Sequence, residues 1–232
     1  MMKRRSIGFV LFDQVRALNL NGPAEVFSQA DRLLANERSG YHLVFLSEAG
    51  GPIRTSCGLV VATQPLRSVT MSRLDTVIVV GGTDADAFGR DVPLVRWIRH
   101  AATHVRRTCS VCKGAFLLGA AGLLDGRRVV THWDEVAALQ AMYPAARVEI
   151  DPIYLVDGPI WTSAGMTAGI DLALALVEAD HGRRVSLAIA KLSWSSCTAP
   201  AAKRSSAAHS PHRRASMRGT PARGSPSCPH GS

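Results

Sequence analysis

Apolar and polar positions alternate along this chain in two rhythms. Short continuous apolar runs are separated by stretches whose apolar residues fall three and four apart. The runs Ser6–Phe12 (SIGFVLF), His42–Ser47 (HLVFLS), Asp75–Val80 (DTVIVV) and Thr108–Val111 predict strands. An unbroken run such as DTVIVV suits a parallel strand covered on both faces. Asn21–Ala35 places Ala24, Phe27, Ala30 and Leu34 at helical spacing, with Pro23 suited to its first turn. Further helices are predicted at Pro93–His104, Lys113–Gly122, Asp134–Tyr143 and Ala168–Asp180, the last stopped by His181 and Gly182. Ile53–Ala62 reads as a small hairpin, and short strands are predicted at Arg128–Thr131 and near Val148 and Tyr154. Strands alternating with helices in this way predict an α/β fold, a mostly parallel sheet with helices on both faces.

The pattern stops near residue 193. Residues 195–232 contain no Val, Ile, Leu, Phe, Trp or Tyr, but nine Ser, five Pro and six Lys or Arg. A segment of that composition cannot bury enough apolar surface to offset its ordering entropy, so a disordered basic tail is expected over 193–232. The tail supplies six of the nine net positive charges of the 232-residue chain, which leaves the folded part near neutral. As a basic segment it could bind nucleic acid through phosphate contacts, or it could be an unselected appendage. No apolar run approaches the ~20 residues of a membrane span. The apolar stretch near the N-terminus is broken by Asp13 and Gln14, too early for a signal peptide. A soluble, cytoplasmic protein without membrane contact is expected. Five cysteines (Cys57, Cys109, Cys112, Cys197, Cys228) show no framework spacing and read as free thiols.

The candidate chemistry centres on Arg107–Gly119. There a strand runs directly into a helix, with Cys112 at the turn and Gly114 just after it. A sharp turn of this kind presents a nucleophile at the edge of a sheet, and a helix N-terminus favours its thiolate. The plain alternative is a buried cysteine in a small-residue turn. Cys109 and Cys112 form a C-x-x-C, but no second pair completes a zinc site, so no metal is expected. Gly81 and Gly82 end the central strand and let backbone N–H groups approach a ligand or oxyanion, or simply make the turn. Thr131–His132–Trp133 ends another strand, and its histidine could pair with Cys112 or be structural.

Four blocks, LFDQVRALNLNGPAEVFSQA, VVGGTDAD, SVCKGAFLLGAAGLLDGRRVVTHW and IWTSAGMTAGIDLALALVEADHG, occur in order over most of residues 6–192. In them the chain resembles the ThiJ/PfpI superfamily, related to class I glutamine amidotransferases, and most of all the ligand-sensing half of AraC/XylS-family transcription regulators. The resemblance implies a flavodoxin-like three-layer sandwich over 6–192, with Cys112 at the elbow and His132 nearby. Enzymes of the superfamily set an acid against the cysteine. In the related isonitrile hydratases it comes from a D-x-x-G-P segment, which matches Asn19–Leu–Asn–Gly–Pro here. Asn19 cannot exchange a proton as a carboxyl group can. Lys113 stands where a small hydroxyl residue is common. Both departures imply sensing rather than catalysis, although Lys113 could depress the Cys112 pKa.

Full-length regulators of this kind continue into two helix-turn-helix units. The tail Ser193–His212 can be encoded by synonymous codons that, from the third nucleotide, read VVVVHRPGGKAQFSGTFAA, which looks like that family's linker with its RPGG-x-x-QFS pattern. A one-nucleotide frameshift near codon 193, removing the DNA-binding half, is therefore expected. Two functions follow. One is a homodimeric sensing domain without a cofactor, contacting DNA only through the missing half. It would bind a small metabolite near Cys112 and His132, with Asn19, Gly22, Glu25, Gly81, Gly82, Lys113 and Thr131 around it. The other is a stand-alone cysteine-dependent hydratase or glyoxalase-like enzyme. In it Cys112 would attack an electrophilic carbon while His132 or Glu25 moved protons.

Overall fold

The computed structural model describes residues 4–35 and 39–194. The tail expected over 193–232 lies almost wholly outside them. Eight strands form one sheet: β1 (Arg5–Val10), β2 (Tyr41–Ser47), β3 (Gly51–Arg54), β4 (Val60–Pro65), β5 (Thr76–Val80), β6 (Arg107–Val111), β9 (Tyr154–Asp157) and β10 (Ile160–Ser163). Their order is β3-β4-β2-β1-β5-β6-β10-β9. All neighbours are parallel except the edge pairs β3–β4 and β9–β10. Two short strands, β7 (Arg128–Val129) and β8 (Arg147–Val148), pair separately. Helices α1 (Ala17–Leu33), α5 (Ala168–His181) and α6 (Arg183–Trp194) pack together, and α2 (Pro93–Ala102) packs on α3 (Gly114–Ala120). Helix α4 (Val136–Met142) lies beside β8. This is the flanked, mostly parallel sheet of a flavodoxin-like α/β fold.

The central strands β5 and β6 are buried at every position, as their unbroken apolar character requires. Between α1 and the sheet, Phe27 meets Phe9 and Tyr41 edge-on, with ring centroids 6.3 and 4.8 Å away. Burying each such ring contributes roughly 1.5–3 kcal/mol.

Three elements differ from the sequence expectation. Helix α1 begins at Ala17, so Pro23 lies within it rather than in its first turn. Its N-cap is Arg16, whose side chain makes no capping bond, so the start carries no local signal. The strand β10 was not separately predicted; its four residues IWTS are short and half polar. Gly182 does end α5, with φ +82°, but a further helix, α6, follows at once. Val185, Ser186 and Ile189 are the buried positions of α6.

Candidate functional site

The parallel strands β1, β5, β6 and β10 all end at one edge of the sheet, and that edge carries the candidate site. Cys112 follows β6 with φ +58°, a left-handed conformation uncommon for a residue with a side chain. Its N–H donates to Ser163 O (3.0 Å), and its carbonyl accepts from Thr131 Oγ1 (3.2 Å). The turn is thus tied to β10 and to the segment after β7. Gly81, ending β5, donates to Val111 O (2.9 Å), and a Cβ there would stand 2.6 Å from Lys113 N. Its N–H is therefore already committed. Gly82 forms a bridge with Val15, where a Cβ would meet Gln14 O at 2.7 Å. The two glycines allow three backbone segments to touch.

Asn19 is wholly buried at this edge. Its Nδ2 donates to Gly81 O (3.1 Å), and its Oδ1 accepts from Met166 N (2.7 Å). The amide is thus a bracket between the end of β5 and the turn after β10. A carboxylate could accept from Met166 but could not donate to Gly81.

That turn, Ala164–Met166, lies directly on the cysteine. Gly165 has φ +98°, and a Cβ on it would sit 2.3 Å from Cys112 Cβ and 2.8 Å from Sγ. Cys112 is 1% exposed. Burial pushes its thiol up, against the opposing pull of the Lys113 N–H, the Asn19 side chain and the Arg16 and Lys113 charges. The stabilised thiolate expected from the sequence is accordingly not what this environment produces, because desolvation outweighs the donors around the sulfur. Cys109, inside β6, is pushed up to about 12 by burial, and Cys57, Cys109 and Cys112 are all free thiols.

Cys57 differs. It is exposed between β3 and β4, and a hydrogen bond with the Thr55 hydroxyl (3.4 Å), with a further one to the Leu59 backbone, brings its pKa down. Brief iodoacetamide treatment near pH 7 followed by peptide mapping is expected to label Cys57 well before Cys112. Labelling of Cys112 as fast as of a free model thiol would contradict the closed site.

Lys113, also beside the cysteine, points away to solvent-side carboxylates. Its Nζ pairs with Glu135 (3.0 Å) and Asp86 (3.2 Å) and donates to Thr83 O (3.3 Å). Burial pulls the ammonium down, but Glu135 and Asp86 hold it above its ordinary value. His132 caps the short turn Trp133–Glu135, its Nδ1 accepting from Asp134 N (3.4 Å). Among the described residues no hydrogen bond joins it to Cys112. Gly22 sits against α5, where a Cβ would meet Ile170 at 2.8 Å, and exposed Glu25 accepts from Gln29 Nε2 (2.6 Å). No hydrogen bond brings either to the cysteine. Sequence reasoning missed Gly165, Met166 and Arg16. The SAGMTAG block held the first two, but nothing local reveals that this turn lands on a thiol.

Among the described residues no group of His, Cys, Asp and Glu could hold a metal ion, and no helix is long and apolar enough to cross a membrane.

Residues 5–179 match the model of the DJ-1/PfpI family. The isonitrile hydratase of Pseudomonas putida is 36% identical over 179 residues, 74% of this chain and 70% of that enzyme. The HTH-type transcriptional regulator GbdR of Pseudomonas aeruginosa is 32% identical over 190 residues, 81% of this chain. This chain covers 50% of that regulator's length. The crystal structure of an AraC family transcriptional regulator from Pseudomonas putida shares the fold, with TM-score 0.71 at 22% identity, over 81% of this chain and 98% of that one. Elbow cysteine, strand order and sequence match agree, and the chain belongs to the DJ-1/PfpI family.

Proposed function

We propose that this chain is the ligand-sensing domain of an AraC-type transcriptional regulator, a cytoplasmic homodimer that binds a small metabolite beside Cys112. The observation that carries this reading is Asn19. Its amide is committed on both sides as a bracket. By the resemblance of Asn19–Leu–Asn–Gly–Pro to the D-x-x-G-P segment, it stands where the isonitrile hydratases would carry an acid. Among the described residues no hydrogen bond joins His132 or Glu25 to the cysteine. The residues assigned to the ligand are Asn19, Gly22, Glu25, Gly81, Gly82, Lys113, Thr131 and His132. Asn19, Thr131 and Cys112 are buried and Lys113 is turned to Glu135 and Asp86, so in this reading the ligand enters only as that edge opens. Contact with DNA would then need a helix-turn-helix half, to be sought in a shifted reading frame beyond codon 193. Reading the gene for some 400 bases beyond codon 185 tests that point. A shifted frame that stays open and encodes two helix-turn-helix units supports it, and its absence overturns it.

A second reading, a cysteine-dependent hydratase, is favoured by the positive φ of Cys112 and by the similarity to isonitrile hydratase. Asn19→Asp separates the two. Under the sensing reading the variant gains no turnover of an isonitrile such as cyclohexyl isocyanide. It also loses roughly 1–3 kcal/mol of stability, because a buried carboxylate faces the Gly81 carbonyl without a donor. Turnover measured by loss of the isonitrile infrared band, in this variant or in the parent chain, would establish the enzyme instead.

A further inference from the structure

The same sheet edge also holds a cavity of about 260 Å3 whose lining does not include the cysteine. It lies outside the ends of β1 and β2, the edge at which open α/β sheets place their ligands. Its apolar part comes from Leu11, Ile53, Leu94 and the rings of Phe12 and Phe88, which meet edge-on with centroids 4.8 Å apart. Its polar part is acidic, from Asp13 and Glu48. Asp13 Oδ1 accepts from Arg54 N (3.0 Å), which fixes the carboxylate and leaves Oδ2 free to accept. Among the described residues no hydrogen bond or ion pair engages Glu48. Among the described residues no lysine or arginine lines the space. Ser47, at the back, is joined to Thr63 by a hydroxyl–hydroxyl bond of 2.5 Å.

We infer that this cavity binds a small primary ammonium ion carrying a short apolar stem. Two carboxylates with free acceptor oxygens at the mouth of an aromatic-walled space complement an –NH3+ head, which has three donors to place. Phe12 and Phe88 complement the stem and add a favourable ring–cation field. At about 260 Å3, below the roughly 300–1,000 Å3 of drug-sized sites, the space suits a fragment of a few carbons. A carboxylate-bearing ligand is disfavoured by both acids. The cavity excludes Cys112, so the inference does not rest on the sensing reading above.

The wall of this cavity is also mechanically placed. Gln14 donates to Arg54 O (2.7 Å) and accepts from Thr83 N (3.1 Å), and Ser56 N donates to Val15 O (3.0 Å). The Asp13–Arg16 segment therefore joins the β3–β4 hairpin to the end of β5.

The test is a titration of the full chain with n-butylammonium chloride at constant ionic strength, followed by amide NMR, with n-butanol and sodium butyrate as matched probes. Saturable shifts at Ser47, Gly50 and Phe88 with n-butylammonium alone are expected, at a millimolar dissociation constant. Glu48→Gln, an exposed change, is expected to weaken the response two- to fivefold, and Glu48→Lys, which supplies its own ammonium, to abolish it. Equal binding of n-butanol would reduce the cavity to an apolar hollow and overturn the inference. So would the absence of saturable shifts, or an n-butylammonium response unchanged in both Glu48 variants.

Discussion

Gly165→Ala is expected to cost the fold about 2–4 kcal/mol. Two effects add. An alanine at φ +98° is strained by about 1 kcal/mol. Its Cβ would also collide with Cys112 at 2.3 Å from Cβ and 2.8 Å from Cα and Sγ, on a turn held through both its backbone groups. Overpacking of this kind costs about 1–3 kcal/mol. Gly58→Ala supplies the internal comparison, since Gly58 has φ +89° but nothing within 4 Å of an added Cβ. That variant carries the strain alone. Urea midpoints of the two variants read out the difference. If Gly165→Ala lost no more than Gly58→Ala, the turn would not be seated on the thiol in solution.

The second large effect lies at the opposite edge of the sheet. Asp180, in the last turn of α5, has a wholly buried side chain. It accepts from Arg107 Nη2 (2.7 Å), Arg106 Nη2 (2.7 Å) and the Tyr41 hydroxyl (2.9 Å), with Arg5 Nε 3.7 Å away. Arg107 is itself buried, its guanidinium lies over the Trp161 ring at 5.4 Å, and its Nη1 has no partner. Asp180→Asn would take from Arg107 the nearer of its two carboxylates and leave only Asp75 Oδ1, 3.6 Å away, at a cost of about 3 kcal/mol. The pH dependence has a definite sign. Burial alone would raise the Asp180 carboxyl, but Arg107 and Arg106 hold it below the ordinary carboxylate value. A group with a depressed folded pKa contributes stability that is present above its unfolded pKa of about 3.9 and lost as pH falls through the folded one. Urea midpoints taken from pH 6 downward are expected to fall more steeply below about pH 4 in the parent chain than in Asp180→Asn. Parallel slopes would remove Asp180 as the source.

The parallel core could be read from the chain because both faces of β5 and β6 are covered, which forces unbroken apolar runs. The elbow could be read because strand, cysteine and glycine are adjacent in sequence. What was illegible depended on distant partners. Pro23 pointed to a helix start, yet α1 begins six residues earlier, anchored by Arg16 N to Gly81 O (3.1 Å) rather than by a capping side chain. Asn19 announced the loss of an acid, but its bracket runs to Met166, 147 positions away. Helix α6 was hidden behind Gly182, a strong stop signal followed by a second start.

Lys113 ties two short turns, one at Ala85–Ala87 through Asp86 and one at Trp133–Glu135 through Glu135. Those turns come from different crossovers of the sheet and share no strand. Parting them means breaking an ion pair worth about 0.2–1 kcal/mol at such partly exposed positions, so thermal excursions gentler than that carry both together. The rim beside the cysteine is therefore bridged from one crossover to the other by a single cation. Between the exposed Trp133 and the loop after β5 there is thus a route through side chains that bypasses the sheet.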